Sequence, residues 1–596
     1  MNLLNRTKFY LKKPHNVIFI VLSLTLAYLT VLPMISIVID TITVHASEVM
    51  RISGKAIGDF TTYHWKKVMF DAGSVNILYK PMLNSLTVSL WSCVVAIAIG
   101  GAFAWFVTRT NIRFKKILST LFVFPYIMPS WTLALAWMNI FKNRVVGGAP
   151  GIFTALTGIQ TPNWFAYGAF PIILVTGLHY APFAYILIGG VLRNMDANLE
   201  EAAVILKTSR LKIMWKITIP MVLPAILSTF LLTFSSSMSA FAVPSFLGLP
   251  VRYQVLTTQM FRTLNGLNPG YGYVLALLMI LLSVLILAIN QRLIGGRRSY
   301  ATVTGKSSNI SLVNLGRGRS ICSVIMLVFV ASISIVPLIS FAVESLILEP
   351  GNYHWSNFTA EFWIGDGVVG RLSSEPGIVR NQNILVGLWN SLKLSVACAL
   401  LAGTIGFLGA YAIVRLRGSK ASELLNNLTF FPYLIPNMAF GAIFLSMFAV
   451  RRGPIPALYG TFALLVLIGT VKYLPFASRA GISSMLQLSN EIEEAGTMLG
   501  IGWFKRMTRI LIPIQKSSFI SGYLLPFTSG MRELSLFVLL VTPSTRMLTT
   551  LLFQYNEKGW NQYANAINLI IILVVLACNF AINRLTGASI DKGIGG

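Results

Sequence analysis

The feature that most constrains this fold is a series of long apolar runs. The first run, residues 17–39, carries no charged side chain, and about 20 apolar residues suffice for a helix to cross the hydrocarbon core of a bilayer. A signal peptide has a shorter apolar core, roughly 7–15 residues, so this run predicts a retained first helix. The predicted spans are residues 17–39, 84–108, 117–140, 168–192, 217–243, 271–291, 321–345, 389–414, 422–450, 460–485, 514–541 and 563–583. We therefore expect an all-α polytopic membrane protein with about 12 transmembrane helices.

The composition agrees with a membrane protein. Hydrophobic residues make up 55% of the 596 residues and charged residues only 11%, whereas a soluble domain carries about 25% charged residues. The net charge of +28 suits cytoplasmic loops that lie beside anionic lipid headgroups. Membrane lipid is therefore an expected partner, and nucleic acid is not.

The distribution of basic residues predicts the orientation. Lys and Arg are concentrated in the segments on the same side as the N-terminus, and such segments face the cytoplasm. Because the number of spans is even, both termini are expected there. Residues 292–320 are polar, basic and contain Gly and Ser, which is typical of a linker. We expect a first permeation half at 1–291, this cytoplasmic linker, and a second half at 321–596.

Short motifs recur in the same order in the two halves. Any one match has a trivial explanation, but the ordered set indicates a fused duplication. Six spans in each half is an even number, so the two repeats are parallel and not inverted. The pairs are YHW at 63–65 and 353–355, NSL at 84–86 and 390–392, FPY at 124–126 and 431–433, and YAPF at 180–183 with YLPF at 473–476.

Two polar segments interrupt the apolar runs at equivalent places. Residues 200–220 read EEAAVILKTSRLKIMWKITIP, and residues 493–513 read EEAGTMLGIGWFKRMTRILIP. Each follows the fourth predicted span of its half. Acidic residues first and basic residues later suit a short surface helix, and a helix lying on lipid headgroups would explain that much. Two copies at equivalent loops, with the same spacing from glutamate to proline, indicate a paired docking site for two copies of one partner.

These segments resemble the signature loop of permeases from binding-protein-dependent ABC importers, which carries Glu-Ala-Ala, then Leu-Gly, then an Ile-rich end before proline. The matching residues are Glu201, Ala202, Ala203, Leu206, Ile217, Ile219 and Pro220 in the first copy, and Glu494, Ala495, Gly496, Leu499, Gly500, Ile510, Ile512 and Pro513 in the second. Lys207 stands where the family has its glycine. The resemblance covers nearly the whole chain and implies the type I ABC importer permease fold.

The resemblance also implies roles for these loops. Each would form a coupling helix, at about 199–212 and 492–506, that docks on an ATPase subunit. The implied docking residues are Glu200, Glu201, Ala202, Ala203, Leu206, Lys207, Glu493, Glu494, Ala495, Gly496, Leu499 and Gly500. Two copies of the ATPase, a solute-binding protein on the outer face and a bacterial inner-membrane location follow from the same resemblance.

Residues 531–543 (MRELSLFVLLVTP) resemble the eleventh span of ferric-iron-type permeases. That branch is associated with several cargoes, so it implies ferric iron or a small anionic solute such as a phosphonate or a sugar phosphate. Ionisable residues inside a membrane are costly and usually functional. We favour a place in the translocation path over two alternatives, a position near the outer interface or mutual neutralisation. The path candidates are Arg532, Glu533 and Ser535, with Met238 and Ser239 at the matching place in the first half.

Lys472 lies in the tenth predicted span, at the place that His179 occupies in the first repeat. A lysine near an interface can extend its amine to the headgroups while its methylene groups stay in the apolar region. We favour that interpretation for Lys472 over a role in the path.

The chain lacks the phosphate-binding loop of an ATPase. Residues 305–307 read Gly-Lys-Ser, but Tyr300 stands where the motif requires its first glycine, so ATP hydrolysis is not expected here. The resemblance therefore implies a transport subunit that is no enzyme, with no cofactor of its own and with ATP and Mg on the partner ATPase. One alternative is an ion-gradient-driven secondary transporter, which can also have six-plus-six parallel repeats. A membrane scaffold or enzyme is disfavoured because no catalytic constellation is visible.

Overall fold

A computed structural model describes residues 12–52, 54–195, 198–295, 312–367, 375–451 and 453–586. Within these ranges the chain is helical apart from turns and three isolated β-bridges. The prediction of an all-α chain is therefore confirmed. Most of the predicted linker, residues 296–311, lies outside the described residues, and so do 1–11 and 587–596.

The first half contains fourteen described helices, several of them short. Their bounds are α1 Pro14–Thr41, α2 Tyr63–Met69, α3 Lys80–Arg109, α4 Lys115–Ile127, α5 Thr132–Phe141, α6 Ile152–Thr157, α7 Asn163–Ala166, α8 Ala169–Asn194, α9 Asn198–Ile205, α10 Arg210–Ile213, α11 Ile219–Met238, α12 Ala242–Gly248, α13 Leu256–Leu264 and α14 Pro269–Gly295.

The second half contains twelve described helices, with the long helices in the same order as in the first half. Their bounds are α15 Gly318–Ser345, α16 Glu361–Ile364, α17 Gln382–Arg415, α18 Lys420–Leu434, α19 Asn437–Phe448, α20 Phe462–Met485, α21 Asn490–Met498, α22 Trp503–Arg506, α23 Ile512–Ile514, α24 Lys516–Met531, α25 Leu548–Glu557 and α26 Asn561–Thr586.

Nine helices among the described residues are long and apolar enough to cross a membrane. Two further predicted spans, the third of each half, are bent pairs: α4 meets α5 at 96°, and α18 meets α19 at 106°. The breaks contain Pro129 and Pro436, and a residue before proline is driven out of the helical region. Counting each bent pair as one span gives eleven.

The fifth predicted span of each half is also interrupted. The first, 217–243, ends as a helix at Met238, and the second, 514–541, ends at Met531 after only 16 residues. In each half a short helix, α13 or α25, then precedes the last span. The motif NSL holds this short helix in both halves: Ser85 Oγ accepts from the amide of Leu256 (2.8 Å), and Ser391 Oγ accepts from the amide of Leu548 (2.9 Å).

The first span of each half packs on the other half. On α1, Ser36 Oγ lies 3.0 Å from Ser446 Oγ on α19, and Ser446 in turn donates to Asp40 Oδ2 (2.5 Å). On α15, the Ser334 hydroxyl donates to the carbonyl of Leu121 in α4 (2.7 Å). The first spans thus interlock the two halves.

Candidate functional site

The first polar loop consists of two short helices, α9 and α10, rather than one helix over 199–212. Glu200 fixes it to the membrane-spanning region: Thr218 Oγ1 donates to Glu200 Oε1 (2.7 Å), and Arg109 Nη1 lies 3.8 Å from Glu200 Oε2. Arg109 is the last residue of α3 and is buried. A buried guanidinium needs a partner charge to offset its desolvation, so Glu200 and Arg109 couple this loop to α3.

The second polar loop, α21 and α22, repeats this arrangement. Glu493 Oε1 accepts from the Tyr411 hydroxyl (2.6 Å), and Glu493 also forms ion pairs with Arg415 and, at 3.8 Å, with Arg506. Arg415 ends α17 as Arg109 ends α3. In both halves, therefore, the first glutamate of the loop is a structural residue that ties the loop to the long helix behind it.

The second glutamate of each loop, Glu201 or Glu494, is exposed beside an apolar tip. Four apolar side chains form the two tips: Ile205 and Leu206 are 80% and 78% exposed, and Met498 and Leu499 are 89% and 78% exposed. Ala202 and Ala495 are exposed as well, whereas Ala203 and Gly496 are buried against the rest of the loop. Exposed apolar groups rimmed by charges are typical of a surface that binds another protein.

The same turn follows the first helix of both loops. In the second loop Gly500 has φ +70°, and in the first loop Lys207 has φ +55°. The amides of Thr208 and Ile501 donate to the carbonyls of Ala203 and Gly496, each at 3.0 Å, which is the Schellman arrangement at a helix end. The lysine therefore keeps the turn geometry that the glycine provides, at the cost of a left-handed backbone.

A cavity of about 330 Å³ lies where the two halves meet. All five predicted path residues line it: Met238, Ser239, Arg532, Glu533 and Ser535. Further lining residues come from the bent third spans and from the motifs YAPF and YLPF, including Tyr126, His179, Tyr180, Tyr433, Lys472 and Tyr473. The walls are rich in hydroxyls and in ionisable groups, which is unusual for the interior of a membrane protein.

Arg532 joins the two halves across this cavity. Its Nη1 donates to the carbonyls of Tyr126 and Ile127, at 3.1 and 3.2 Å, at the end of α4. These carbonyls lack partners within the helix because α4 breaks there, and a cation at a helix C-terminus also interacts favourably with the helix dipole. Glu533 has separate partners: its Oε2 accepts from Asn437 Nδ2 and its Oε1 from the amide of Leu536, both at 3.0 Å.

The interpretation of Lys472 as a lysine that reaches the headgroups is wrong. The residue is only 6% exposed, and Nζ donates to the carbonyls of Pro432 (2.8 Å) and Ile435 (2.5 Å) at the break between α18 and α19. In the first half His179 Nδ1 donates in the same way to the carbonyl of Pro125 (2.9 Å). The alignment of these two residues in the repeat, directly before YAPF and YLPF, was the sequence signal for this pair.

A protein-family model described as "Binding-protein-dependent transport system inner membrane component" matches residues 94–299 and again 385–592. The chain belongs to this family. The permease thus carries the family's domain twice, once in each half, and the predictions of family, fold class and inner-membrane transport are confirmed. The precise boundaries of the halves and linker stay a prediction. A gradient-driven secondary transporter finds no support in this result.

Several curated relatives of the permease align over most of its length. The ferric transport system permease protein FbpB of Actinobacillus pleuropneumoniae is 27% identical over 502 residues, which cover 83% of this chain and 69% of that protein. The Fe(3+)-transport system permease protein FbpB 2 of Haemophilus influenzae is 24% identical over 85% of this chain and 90% of its own. The spermidine/putrescine permease PotC of Escherichia coli is 25% identical over only 38% of this chain but 78% of its own.

Proposed function

We propose that the permease forms the membrane channel of an ABC importer and that two copies of one ATPase dock on its two polar loops. The observation that carries this proposal is the pair of equivalent exposed tips at Leu206 and Leu499, each beside an exposed glutamate and each held from behind by a partly buried, ion-paired one. ATP and Mg bind to the ATPase, and a solute-binding protein delivers cargo to the opposite face. Both termini of the permease then lie in the cytoplasm.

The cavity between the halves is the translocation path in this proposal. Arg532 belongs to the second half and holds the broken end of α4 in the first half. The halves can therefore move apart only when these hydrogen bonds break. In this proposal Arg532 acts as a latch, which means that its contact with α4 keeps the path closed. Closure of the ATPases would supply the energy for that change through α3 and α17, to which the loops are tied.

Ferric iron is the cargo that we propose first, because relatives named as ferric permeases align over most of the chain. The cavity offers carboxylate, phenol and hydroxyl oxygens, which are the ligands that hard cations prefer. An anionic solute such as a phosphonate or sugar phosphate is the second candidate. It is favoured by Arg532 and Lys472 in the same walls.

The stoichiometry of the assembly tests the first part of this proposal. The permease is affinity-purified from its native membrane in gentle detergent, and the co-purifying proteins are quantified by mass spectrometry. We expect two copies of one ATPase per permease chain. Isolation of the permease alone, together with gradient-driven uptake after reconstitution, would exclude the importer.

Uptake by the reconstituted assembly tests the cargo. Proteoliposomes that contain the permease, the ATPase and the binding protein are supplied with radioactive ferric iron and ATP. We expect ATP-dependent accumulation of iron that an excess of phosphonate or sugar phosphate does not reduce. Accumulation of the labelled anion in place of iron would select the second candidate.

A further inference from the structure

A second cluster of ionisable side chains lies outside the cavity walls, between α1 and α14. It consists of His45, Glu48 and His64, and one ligand atom of each lies within 4.8 Å of the others. Ile18, near the start of α1, packs against the residues around the second polar loop, and Thr41 ends the same helix. At 1.5 Å per residue the cluster is therefore roughly 35 Å from that loop, at the opposite end of the molecule.

The two imidazoles are oriented by the main chain. His64 Nδ1 donates to the carbonyl of Thr41 (3.1 Å), and His45 Nε2 donates to the carbonyl of Asp40 (2.8 Å). Each histidine thus donates one ring N–H to a main-chain carbonyl and turns its other ring nitrogen toward a different partner. This is how histidines that bind metal ions are held, because the outer hydrogen bond fixes the tautomer and the ring orientation.

Glu48 presents a carboxylate to the free nitrogen of His64. Its Oε2 lies 2.7 Å from His64 Nε2, and its Oε1 accepts from the amide of Gly270 (3.1 Å) at the start of α14.

The charges of this cluster call for a cation. His64 is fully buried, and Glu48 is 1% exposed. A lone pair and a carboxylate oxygen at 2.7 Å repel each other unless a positive charge lies between or beside them, and a buried unpaired carboxylate is costly. Either a proton on His64 or a metal ion would supply that charge. Gly270 packs directly against the imidazole ring of His64. A Cβ at this position would lie 2.3 Å from His64 Cδ2, so a larger residue would displace the ring.

We propose that His45, Glu48 and His64 bind a divalent transition-metal ion of the zinc type. Two histidine nitrogens and one carboxylate are a usual ligand set for such ions, with metal–ligand distances of about 2.0–2.2 Å. The half-buried His45 leaves an open side through which the ion enters and at which water completes its coordination. A bound ion fastens the segment between α1 and α3 to the first turn of α14.

Among the residues that the structure describes, the second half does not repeat this site. In the second half the tyrosine of YHW, Tyr353, donates to Glu344 Oε1 (2.5 Å), and the histidine, His354, is exposed. Within the described part of the chain, the ion would therefore belong to the first half. It also makes His354 a matched control, since it is the same residue in the same motif without the other two ligands.

Zinc binding to the purified permease tests this proposal. The protein carries a tag without histidine, is stripped with a chelator and is titrated with Zn²⁺ against a chelating dye, with metal content measured by mass spectrometry. We expect about one tightly bound Zn²⁺ per chain. His45→Ala should weaken it at least tenfold, because loss of a ligand costs at least as much as loss of an outer-shell partner, which typically costs 10–100-fold. His354→Ala should bind as the wild type does.

The variant at His45 is chosen because its side chain is only half-buried, so its removal leaves the fold intact. X-ray absorption of the zinc-loaded protein gives a second readout and should show two imidazole ligands. Equal affinity of wild type and His45→Ala, or a spectrum without imidazole, would overturn the site and leave a protonated His64 paired with Glu48. None of these outcomes depends on which solute the permease transports.

Discussion

At the scale of single residues, the two loop turns allow a direct measurement of backbone strain. A left-handed conformation costs a residue with a Cβ roughly 1–2 kcal/mol, so Lys207→Gly should stabilise the first turn and Gly500→Ala should destabilise the second. A Cβ at Gly500 would have no neighbour within 4 Å, which isolates the backbone effect. We expect amide hydrogen exchange to slow about fivefold at residues 205–208 in Lys207→Gly and to accelerate about fivefold at 498–501 in Gly500→Ala.

The two variants control each other because each leaves the opposite loop unchanged. Unaltered exchange at both turns would mean that the conformation carries no strain. The same change in both loops of one variant would point to a global effect instead.

The sequence predicted Arg532 as a residue of the path, but it did not predict the hydrogen bonds that join Arg532 to the other half. Hydrogen bonds from a charged group contribute about 1.5–3 kcal/mol, and those of Arg532 hold the end of α4. Arg532→Met should therefore release this latch. In the assembled transporter we expect ATP hydrolysis without binding protein to rise several-fold and solute uptake to fall at least tenfold.

Lys393→Met is a suitable control for Arg532→Met, because it also removes a cation of the second half. Lys393 lies over the rings of Trp389 and Phe462 and does not line the cavity. The Lys393→Met variant should show the solute uptake and the ATP hydrolysis of the wild type. Wild-type uptake by Arg532→Met would remove Arg532 from the path.

At the scale of elements, the two glutamates of each loop predict different defects. Glu494 is exposed, so Glu494→Lys should leave the permease folded but reverse the charge at the proposed docking surface. We expect loss of uptake and of ATPase co-purification with normal exchange in α21. Glu493→Gln weakens the pairs with Arg415 and Arg506, so it should accelerate exchange across α21 and α22.

Glu423→Lys provides the control for charge reversal, since Glu423 is exposed in the first turn of α18, outside the loops. It should transport normally. Normal coupling in Glu494→Lys would show that the second loop does not dock through this glutamate.

Sequence patterns predicted the elements better than their shapes. Apolar runs gave the positions of the spans because hydropathy alone decides whether a segment suits a bilayer. They could not give the bends of 96° and 106° in the third spans, nor the ends of the fifth spans at Met238 and Met531. Breaks of this kind depend on neighbouring helices that supply partners for the freed carbonyls.

The same limit applies to the cavity. The repeat identified the segments around Arg532 and Met238, because ordered motifs reveal equivalence without coordinates. It did not reveal that Lys472 turns inward to the carbonyls of Pro432 and Ile435. The direction of one side chain on an apolar helix depends on which face the packing covers, and a single lysine does not specify that face.

At the scale of the whole molecule, neither half is complete without the other. The first span of each half packs on the bent third span of its partner. The bent third span of the first half also forms hydrogen bonds with the last helix, α26. Trp131 Nε1 donates to Asn568 Oδ1 (3.2 Å), and Asn139 Nδ2 donates to Asn565 Oδ1 (2.9 Å). Polar contacts of this kind between helices are worth about 0.6 kcal/mol each on average in a membrane, so their number and the packing around them must hold the halves together.

This interlocking predicts that the peptide bond between the halves is dispensable. PotC of Escherichia coli aligns over 38% of this chain but 78% of its own length, so relatives of half the size exist. We expect residues 1–303 and 304–596, expressed together, to co-purify through a tag on either piece and to restore at least half of the uptake of the intact chain. A cut between residues 400 and 401, inside α17, should abolish both the co-purification of the two pieces and the uptake. Separate purification of the two pieces would show that the linker, and not the contacts of α1 and α15, holds the halves together.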